Sequence, residues 1–423
     1  MQDCQLIVIH AAELVTCDSD GGPKRGPDML TVGTIRDGAV AIADGRIVGI
    51  GTTSEILPAF EADTVINAHG RVVAPGLVDP HTHIVYAGDR LDEFEMKIRG
   101  ADYLEILTGG GGIISTVRKT RAASVDDLFE QSVSRLDKML ACGTTACEIK
   151  TGYGLDAANE LKMLDVIAEL DKSHPIDIVP TFLAAHAVPP EHKGDSDAYV
   201  DEICDTMLAA AWSWFTSSHF YGRVPFYCDV FCESGAYTLD QSRRIIETAR
   251  GLGFGIKAHV DQFNNLGGSR LAIGSGAASI DHLDAISDSE IADLAESDTI
   301  GIVIPTENFS GGKSHYADAR KMIDAGCAIA LSTDYNPGSA PCPSQPMAMA
   351  IACRYQKLLP AEVLNAATIN AAHAIGLGQT HGSITVGKAA DLVILDCDDH
   401  RQISYEFGGN LVRTVIKNGV VCV

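Results

Sequence analysis

The 423-residue chain contains no apolar stretch of about 18 residues, so no membrane span is expected. Its first residues, "MQDCQLIVIHAAELVTCDSDGG", carry neither a basic leader nor an apolar signal core. No Gly-x-Gly-x-x-Gly follows a strand-like run, which argues against a dinucleotide fold. There are 12 cysteines but no Cys-x-x-Cys pair. Cys142 and Cys147, like Cys228 and Cys232, are spaced too widely for a zinc knuckle and sit in apolar runs. They are expected to be small buried thiols in a reducing compartment, the cytoplasm. Basic residues are also scarce, 32 against 56 acidic, for a net charge of −24. Such a chain repels nucleic acid and anionic membranes, and a negatively charged substrate would need a local cationic anchor.

What is present is a strongly patterned α/β sequence. The runs "QLIVIHAAELVT", "GAVAIADGRIVGIG" and "TVINAHGRVVAPG" read as short strands, with a hairpin at Asp44-Gly45. From Pro75 onward, eight apolar runs alternate with helical segments. They are "PGLVDPHTH", "TTACEIKTGYG", "DIVPTFLAAHAVPP", "FYCDVFCES", "FGIKAHVDQ", "AASIDHL", "TIGIVIPT" and "CAIALSTDYNPG". Two of the helical segments are "ANELKMLDVIAELDKSH" and "LDQSRRIIETARGLG". Eight buried parallel strands separated by helices predict a TIM-like (β/α)8 barrel over residues 73–377. Strands return in "GSITVGKAADLVILD" and "LVRTVIKNGVVCV". Residues 1–72 and 378–423 are therefore expected to build one small composite β-sandwich domain from both termini.

Barrels place their chemistry at the C-terminal ends of their strands. The first run ends in His81 and His83, whose i, i+2 spacing turns both imidazoles to one side of an extended chain. Alone, an H-x-H among 14 histidines would be a weak signal. The other runs strengthen it: the second carries Lys150 and Tyr153, the third His186, the fifth His259, Asp261 and Gln262. The sixth carries His282, and the eighth Asp334 followed by Asn336 and Gly338. Several histidines and a carboxylate at strand ends suit zinc or iron with one position open to water.

At this point the sequence resembles a known family. "PGLVDPHTH", the "STD" aspartate and "GSITVGKAADLVILD" resemble the metal-dependent amidohydrolase superfamily. "VDPHTHIVYAGDRLDEFEMKIRGADYLEI", "GGGIISTVRKTRAAS", "EIKTGYGL", "TDYNPGS" and "ATINAAHAIGL" resemble the imidazolonepropionases over nearly the whole chain. The resemblance implies hydrolysis of the ring amide of 4-imidazolone-5-propanoate to N-formimidoyl-L-glutamate, in histidine degradation. It implies one Zn or Fe ion per chain, held by His81, His83, His259 and Asp334, with His282 and Asp334 handling protons. It further implies Arg90, Tyr103, Tyr153, His186, Gln262, Asn336, Gly338 and Ser339 as substrate contacts. A guanidinium fork at Arg90 is a natural partner for the substrate's carboxylate. A homodimer is the expected assembly.

Two departures bear on chemistry. Many members carry an acid where this chain has Gln262, and an amide cannot act as a base near neutral pH. The base then falls to Asp334, Asp261 or His282. The segment "IPTENFSGGKSHYA" is also more polar than is usual after the seventh strand, with Glu307 able to alter the pocket. Lys150 reads as uncarboxylated, either structural or on the substrate side. The competing readings are another cyclic-amide amidohydrolase or a deaminase of the cytosine or guanine type, and a non-catalytic amidohydrolase-like scaffold.

Overall fold

Residues 1–100 and 111–423 are described by a computed structural model. The terminal domain is organised by one long strand, β1 (Gln2–Val15). It pairs antiparallel with β2 (Thr34–Ala43) across a bulge between Val8 and Ala11, where His10 takes φ +57°. Its other edge is shared by two parallel neighbours, β4 (Phe60–Asn67) and then β5 (Val72–Pro75). β2 turns into β3 (Arg46–Thr52) through Asp44 and Gly45, at φ +51° and +71°. Positive φ at both central residues is what a type I′ hairpin needs, and Asp-Gly supplies it.

The barrel follows in eight parallel strands, one for each apolar run of the sequence. They are β6 (Leu77–Asp79), β7 (Thr144–Lys150), β8 (Asp177–Ala185), β9 (Tyr227–Cys232), β10 (Gly255–Val260), β11 (Ser279–His282), β12 (Ile300–Val303) and β13 (Ile329–Leu331). Every residue of β7 is buried, as expected for a strand covered on both faces. The helical segments form Ala157–Ser173 and Leu239–Leu252. The second starts at a capping box between Thr238 and Gln241, which satisfies two of its orphan backbone donors.

The chain then returns to the terminal sheet with β14 (Leu392–Leu395), β15 (Val412–Lys417) and β16 (Val420–Val421). β14 pairs with β5, so strands from both termini form one continuous mixed sheet. Since Val72–Pro75 belongs to this sheet, the chain crosses into the barrel at Gly76. A Cβ there would lie 2.2 Å from Thr145 Oγ1, so glycine lets the connection pass against β7.

The barrel seam lies between β6 and β13. It is closed by a bridge between Thr82 and Tyr335 and by His83 N donating to Tyr335 O at 3.0 Å. Beneath it, buried Asp79 accepts from Ser332 Oγ and Thr333 Oγ1, both at 2.5 Å. The seam therefore aligns the H-x-H segment with the strand that leads to Asp334. All 12 cysteines are free. Among the described residues, no helix is long and apolar enough to cross a membrane.

Candidate active site

Beyond β6 the chain stays extended through Pro80 and its side chains alternate. Thr82 Oγ1 turns toward β7 and donates to Glu148 O, while His81 and His83 turn into the barrel mouth. His81 Nε2 lies 3.2 Å from His83 Nε2, which lies 3.4 Å from His259 Nε2. Asp334 Oδ1 stands 3.5 Å from His81 Nε2 and 3.6 Å from His83 Nε2. Four donors about 2.0–2.1 Å from one tetrahedral ion would stand roughly 3.3–3.4 Å apart. The four side chains are almost completely buried.

Their hydrogen bonds explain why the nitrogens converge. His81 Nδ1 donates to Asp281 Oδ2 at 2.7 Å, and His259 Nδ1 donates to Asp229 Oδ1 at 3.0 Å. Both Nε2 atoms are then bare lone pairs facing a common point, which is unfavourable unless a cation lies between them. Burial, reinforced by Lys150 beside His81 and by His186 beside His83, pushes both imidazoles well below their ordinary pKa. Burial also pushes the carboxyl of Asp334 well above its usual range. Neither histidine can relieve the site by protonating, and the buried carboxylate wants a positive partner. His81, His83 and His259 bring their ligand nitrogens within 4.8 Å of one another and fit a divalent metal ion, with Asp334 adjoining His81 and His83.

Three of the strand ends at the site are bent into left-handed backbone: Asp261 (φ +54°), His282 (φ +82°) and Asp334 (φ +50°). That conformation costs energy in residues other than glycine and concentrates where a fold holds functional groups in fixed positions. His282 packs against His81 and His259, with ring centroids 5.4 and 5.2 Å apart. His81, His282 and Asp334 bring their polar atoms within 4.8 Å of one another. Asp261 is turned away instead. Its Oδ2 accepts from Ser269 Oγ at 2.6 Å in the helix Gly268–Gly274, and burial pushes its carboxyl up to about 7. Of the three acid–base candidates, the structure leaves His282 and Asp334 on the metal side and puts Asp261 against the helix layer. Gln262 follows at the half-buried edge of the mouth.

The pocket wall is aromatic. His186 stacks on His83 at 4.9 Å and 16°, its Nδ1 held by Gly152 O at 3.1 Å. Tyr153 packs 5.4 Å from His186 and 5.9 Å from His83. Burial, with the carboxylate of Asp334 nearby, pushes its phenol far above the ordinary value, so it is a hydrogen-bond donor at any working pH. Arg90 lies close enough for its charge to act on the Tyr153 phenol. Its Nε and Nη2 bind Glu93 Oε2 at 2.9 and 2.5 Å. The same Glu93 accepts from Gly112 N through Oε1 at 3.0 Å. Nη1 reaches over Gly338, where a Cβ would lie only 2.0 Å away. Asn336 organises this turn: its Oδ1 accepts from Gly338 N and Ser339 N at 2.8 Å, and its Nδ2 donates to Asp334 O at 2.7 Å. The amide of Asn336 is thus committed to shaping the rim beneath Arg90. Tyr103 lies outside the described residues.

Several residues went unread in the sequence. Glu93 pairs with Arg90 only because the helix Leu91–Ile98 sets them three residues apart. Lys313 pairs with Glu307 at 2.8 Å and lies 4.6 Å from the ring centroid of Phe263, beside Gln262. Asp229 and Asp281 did leave a signal, being charged residues inside the apolar runs "YCDVF" and "SIDH".

A model of the Amidohydrolase family matches residues 234–422. An imidazolonepropionase of Chloroflexus aggregans is 52% identical over 424 aligned residues, covering 100% of this chain and 99% of the relative. The chain belongs to the imidazolonepropionase family. Members from Herpetosiphon aurantiacus and Symbiobacterium thermophilum are 49% and 46% identical, each with at least 97% of both chains covered. Among solved structures, a zinc-bound adenosine deaminase from Xanthomonas campestris superimposes with TM-score 0.75 at 19% identity, covering 99% of this chain and 93% of that one. E. coli guanine deaminase gives TM-score 0.75 at 15% identity, covering 99% and 98%. At those identities the likeness establishes the shared barrel and terminal sheet, while the imidazolonepropionase sequences establish the family.

Proposed function

We infer that the chain hydrolyses the ring amide of 4-imidazolone-5-propanoate to N-formimidoyl-L-glutamate, a step of histidine degradation. The geometric observation that carries the substrate is Arg90. In a strongly acidic chain it stands at the mouth of a histidine-lined site with Nη1 turned toward the Gly338 turn. Among the described residues no acceptor faces that nitrogen, so it is placed for a propionate carboxylate. A neutral purine or pyrimidine would have no use for it.

His81, His83, His259 and Asp334 would hold one zinc or iron ion, which supplies a Lewis acid for the ring carbonyl and acidifies a water. The chain does the rest. Arg90 fixes the propionate and so the register of the ring. The Tyr153 hydroxyl donates to the ring edge, and the half-buried amide of Gln262 hydrogen-bonds it without taking a proton. His282 is kept neutral because burial, with His259 beside it, pushes its pKa well below the ordinary value. It can therefore accept a proton as water adds to the ring carbonyl and return it to the ring nitrogen as the C–N bond breaks. The apolar and aromatic wall limits bulk water. The free thiols fit the cytoplasm.

The test is substrate choice. Metal-loaded protein should consume 4-imidazolone-5-propanoate, with N-formimidoyl-glutamate identified by mass spectrometry, and release no ammonia from guanine or cytosine. Ammonia release from either base, with the imidazolone left intact, would replace this reading with the deaminase one.

A further inference from the structure

Below the four candidate ligands lies a fully buried set of charges that no step above uses. Lys150 Nζ lies 2.6 Å from Asp229 Oδ2, 2.8 Å from Glu148 Oε2 and 3.5 Å from Asp281 Oδ2. Lys257 Nζ lies 3.0 Å from Glu148 Oε1 and donates to Pro80 O at 3.0 Å. All five side chains are almost wholly shielded from solvent. Two of the three carboxylates are the ones already met: Asp229 holds His259 and Asp281 holds His81. Each carboxylate meets both a ligand histidine and the ammonium. Asp229 Oδ1 takes His259 Nδ1 while its Oδ2 takes Lys150. Asp281 Oδ1 is occupied by Ser279 Oγ at 2.7 Å, so Oδ2 is shared between His81 and the lysine.

We propose that Lys150 is a positioning residue for the metal site: one ammonium fixes the two carboxylates that orient His81 and His259. The clamp joins β7, β9 and β11 under ligands borne by the H-x-H segment and β10. A carboxylate that accepts Nδ1–H selects the tautomer with Nε2 bare and fixes the plane of the ring. Without the Lys150 ammonium, Asp229 would lose the partner of its Oδ2 and Asp281 would keep only Ser279 and His81, leaving two buried like charges less firmly placed. His83 stands outside this arrangement. Its Nδ1 is buried with no partner, and the stack with His186 orients it instead. The same packing answers the question raised by a strand lysine in an amidohydrolase. Three carboxylates crowd Nζ, so a carboxyl group on that nitrogen would meet like charge on every side. Lys150 serves one ion from below and bridges nothing.

This inference rests on the single-ion reading of the site but not on the substrate, so its test is zinc affinity, measured on folded protein by competition with a chromogenic chelator. Lys150→Met should bind zinc roughly 10–100-fold more weakly than wild type, the usual effect of losing an outer-shell partner. Asp229→Asn and Asp281→Asn should fall in the same range. Adding either to Lys150→Met should cost much less than it does alone, since all three act through one arrangement. The cobalt-loaded protein should also show a changed ligand-field spectrum in Lys150→Met, which a purely structural role would leave alone. A folded Lys150→Met with wild-type zinc affinity and an unchanged cobalt spectrum would overturn the proposal. If that variant fails to fold, wild-type zinc affinity in both asparagine variants would overturn it. Wild-type protein that binds no zinc would instead sink the reading of the site itself.

Discussion

Replacing Gly338 with alanine adds a single methyl against the anchor for the substrate carboxylate. The new Cβ would lie 2.0 Å from Arg90 Nη1, 2.7 Å from Cζ and 3.3 Å from Nε. Gly338 does not use the left-handed region, so alanine meets no backbone penalty there. The clash falls on the far end of a flexible side chain. The guanidinium should move and the fold should stay, at a cost of about 1–3 kcal/mol because the shift disturbs the pair with Glu93. What is lost is a charge-assisted hydrogen bond of about 1.5–3 kcal/mol, or roughly 10- to 150-fold in kcat/KM. The loss should appear mainly in KM. An imidazolone lacking the propionate arm should be turned over equally by both proteins. Arg90→Gln should reproduce the defect, and adding Gly338→Ala to it should change little more. Steady-state kinetics with both substrates, alongside thermal melts, make the test. Wild-type KM in Gly338→Ala, or an equal loss with the armless analogue, would refute placing the carboxylate at Arg90.

Three further outcomes are expected. His282→Asn should cut kcat severely while zinc content holds, whereas Asp261→Asn should stay close to wild type, because burial already pushes that carboxyl up to about 7 and Asn mimics its protonated form; the reverse pattern would move the proton path to β10. Gln262→Glu should be tolerated and should add an ionisation to the pH profile of kcat, and a collapse of kcat with no such ionisation would contradict its role as a positioning amide. Asp177 ties the barrel to the terminal sheet through His381 Nε2 at 2.8 Å and Lys417 Nζ at 2.6 Å. Burial opposes its ionisation, but those partners prevail and hold its carboxyl at about 2. A depressed carboxyl stabilises the fold above its unfolded pKa of roughly 3.9 and loses that contribution as pH falls toward the folded value. Asp177→Asn should therefore be destabilised at neutral pH, by about 1–2 kcal/mol after allowing for its partial exposure, and the gap to wild type should close in acid. Denaturant midpoints at several pH values measure it, and a gap that widens as pH falls would contradict the assignment.

The barrel was readable because strands covered on both faces must be apolar along their length. Each of the eight runs accordingly became one strand of β6 to β13. Asp44-Gly45 marked its hairpin because few other pairs accept positive φ twice. His81, His83, His259, His282 and Asp334 stood out because a buried strand seldom ends in a polar group without a purpose. The boundary at Gly76 was less legible. Val72–Pro75 and Leu77–Asp79 form one apolar run in the sequence, and only the pairing partners divide it between two sheets. The clamp under the ligands was hidden for a different reason. Lys150, Asp229 and Asp281 lie on three separate strands, and no local pattern states which carboxylate a lysine will meet. Nothing local marks Glu93 either, because its partners Arg90 and Gly112 N meet it only in the folded chain.

The most direct test of the account follows the oxygen. If water held at the site of His81, His83, His259 and Asp334 opens the ring amide, turnover in heavy-oxygen water should place one heavy oxygen in the new carboxylate of N-formimidoyl-glutamate. Mass spectrometry of the product, made by wild-type protein and by His81→Ala and Asp334→Ala variants checked for folding, reads this directly. Wild-type protein should give one label per product, and either variant almost no product. Unlabelled product, or undiminished turnover by a metal-free variant, would contradict the account.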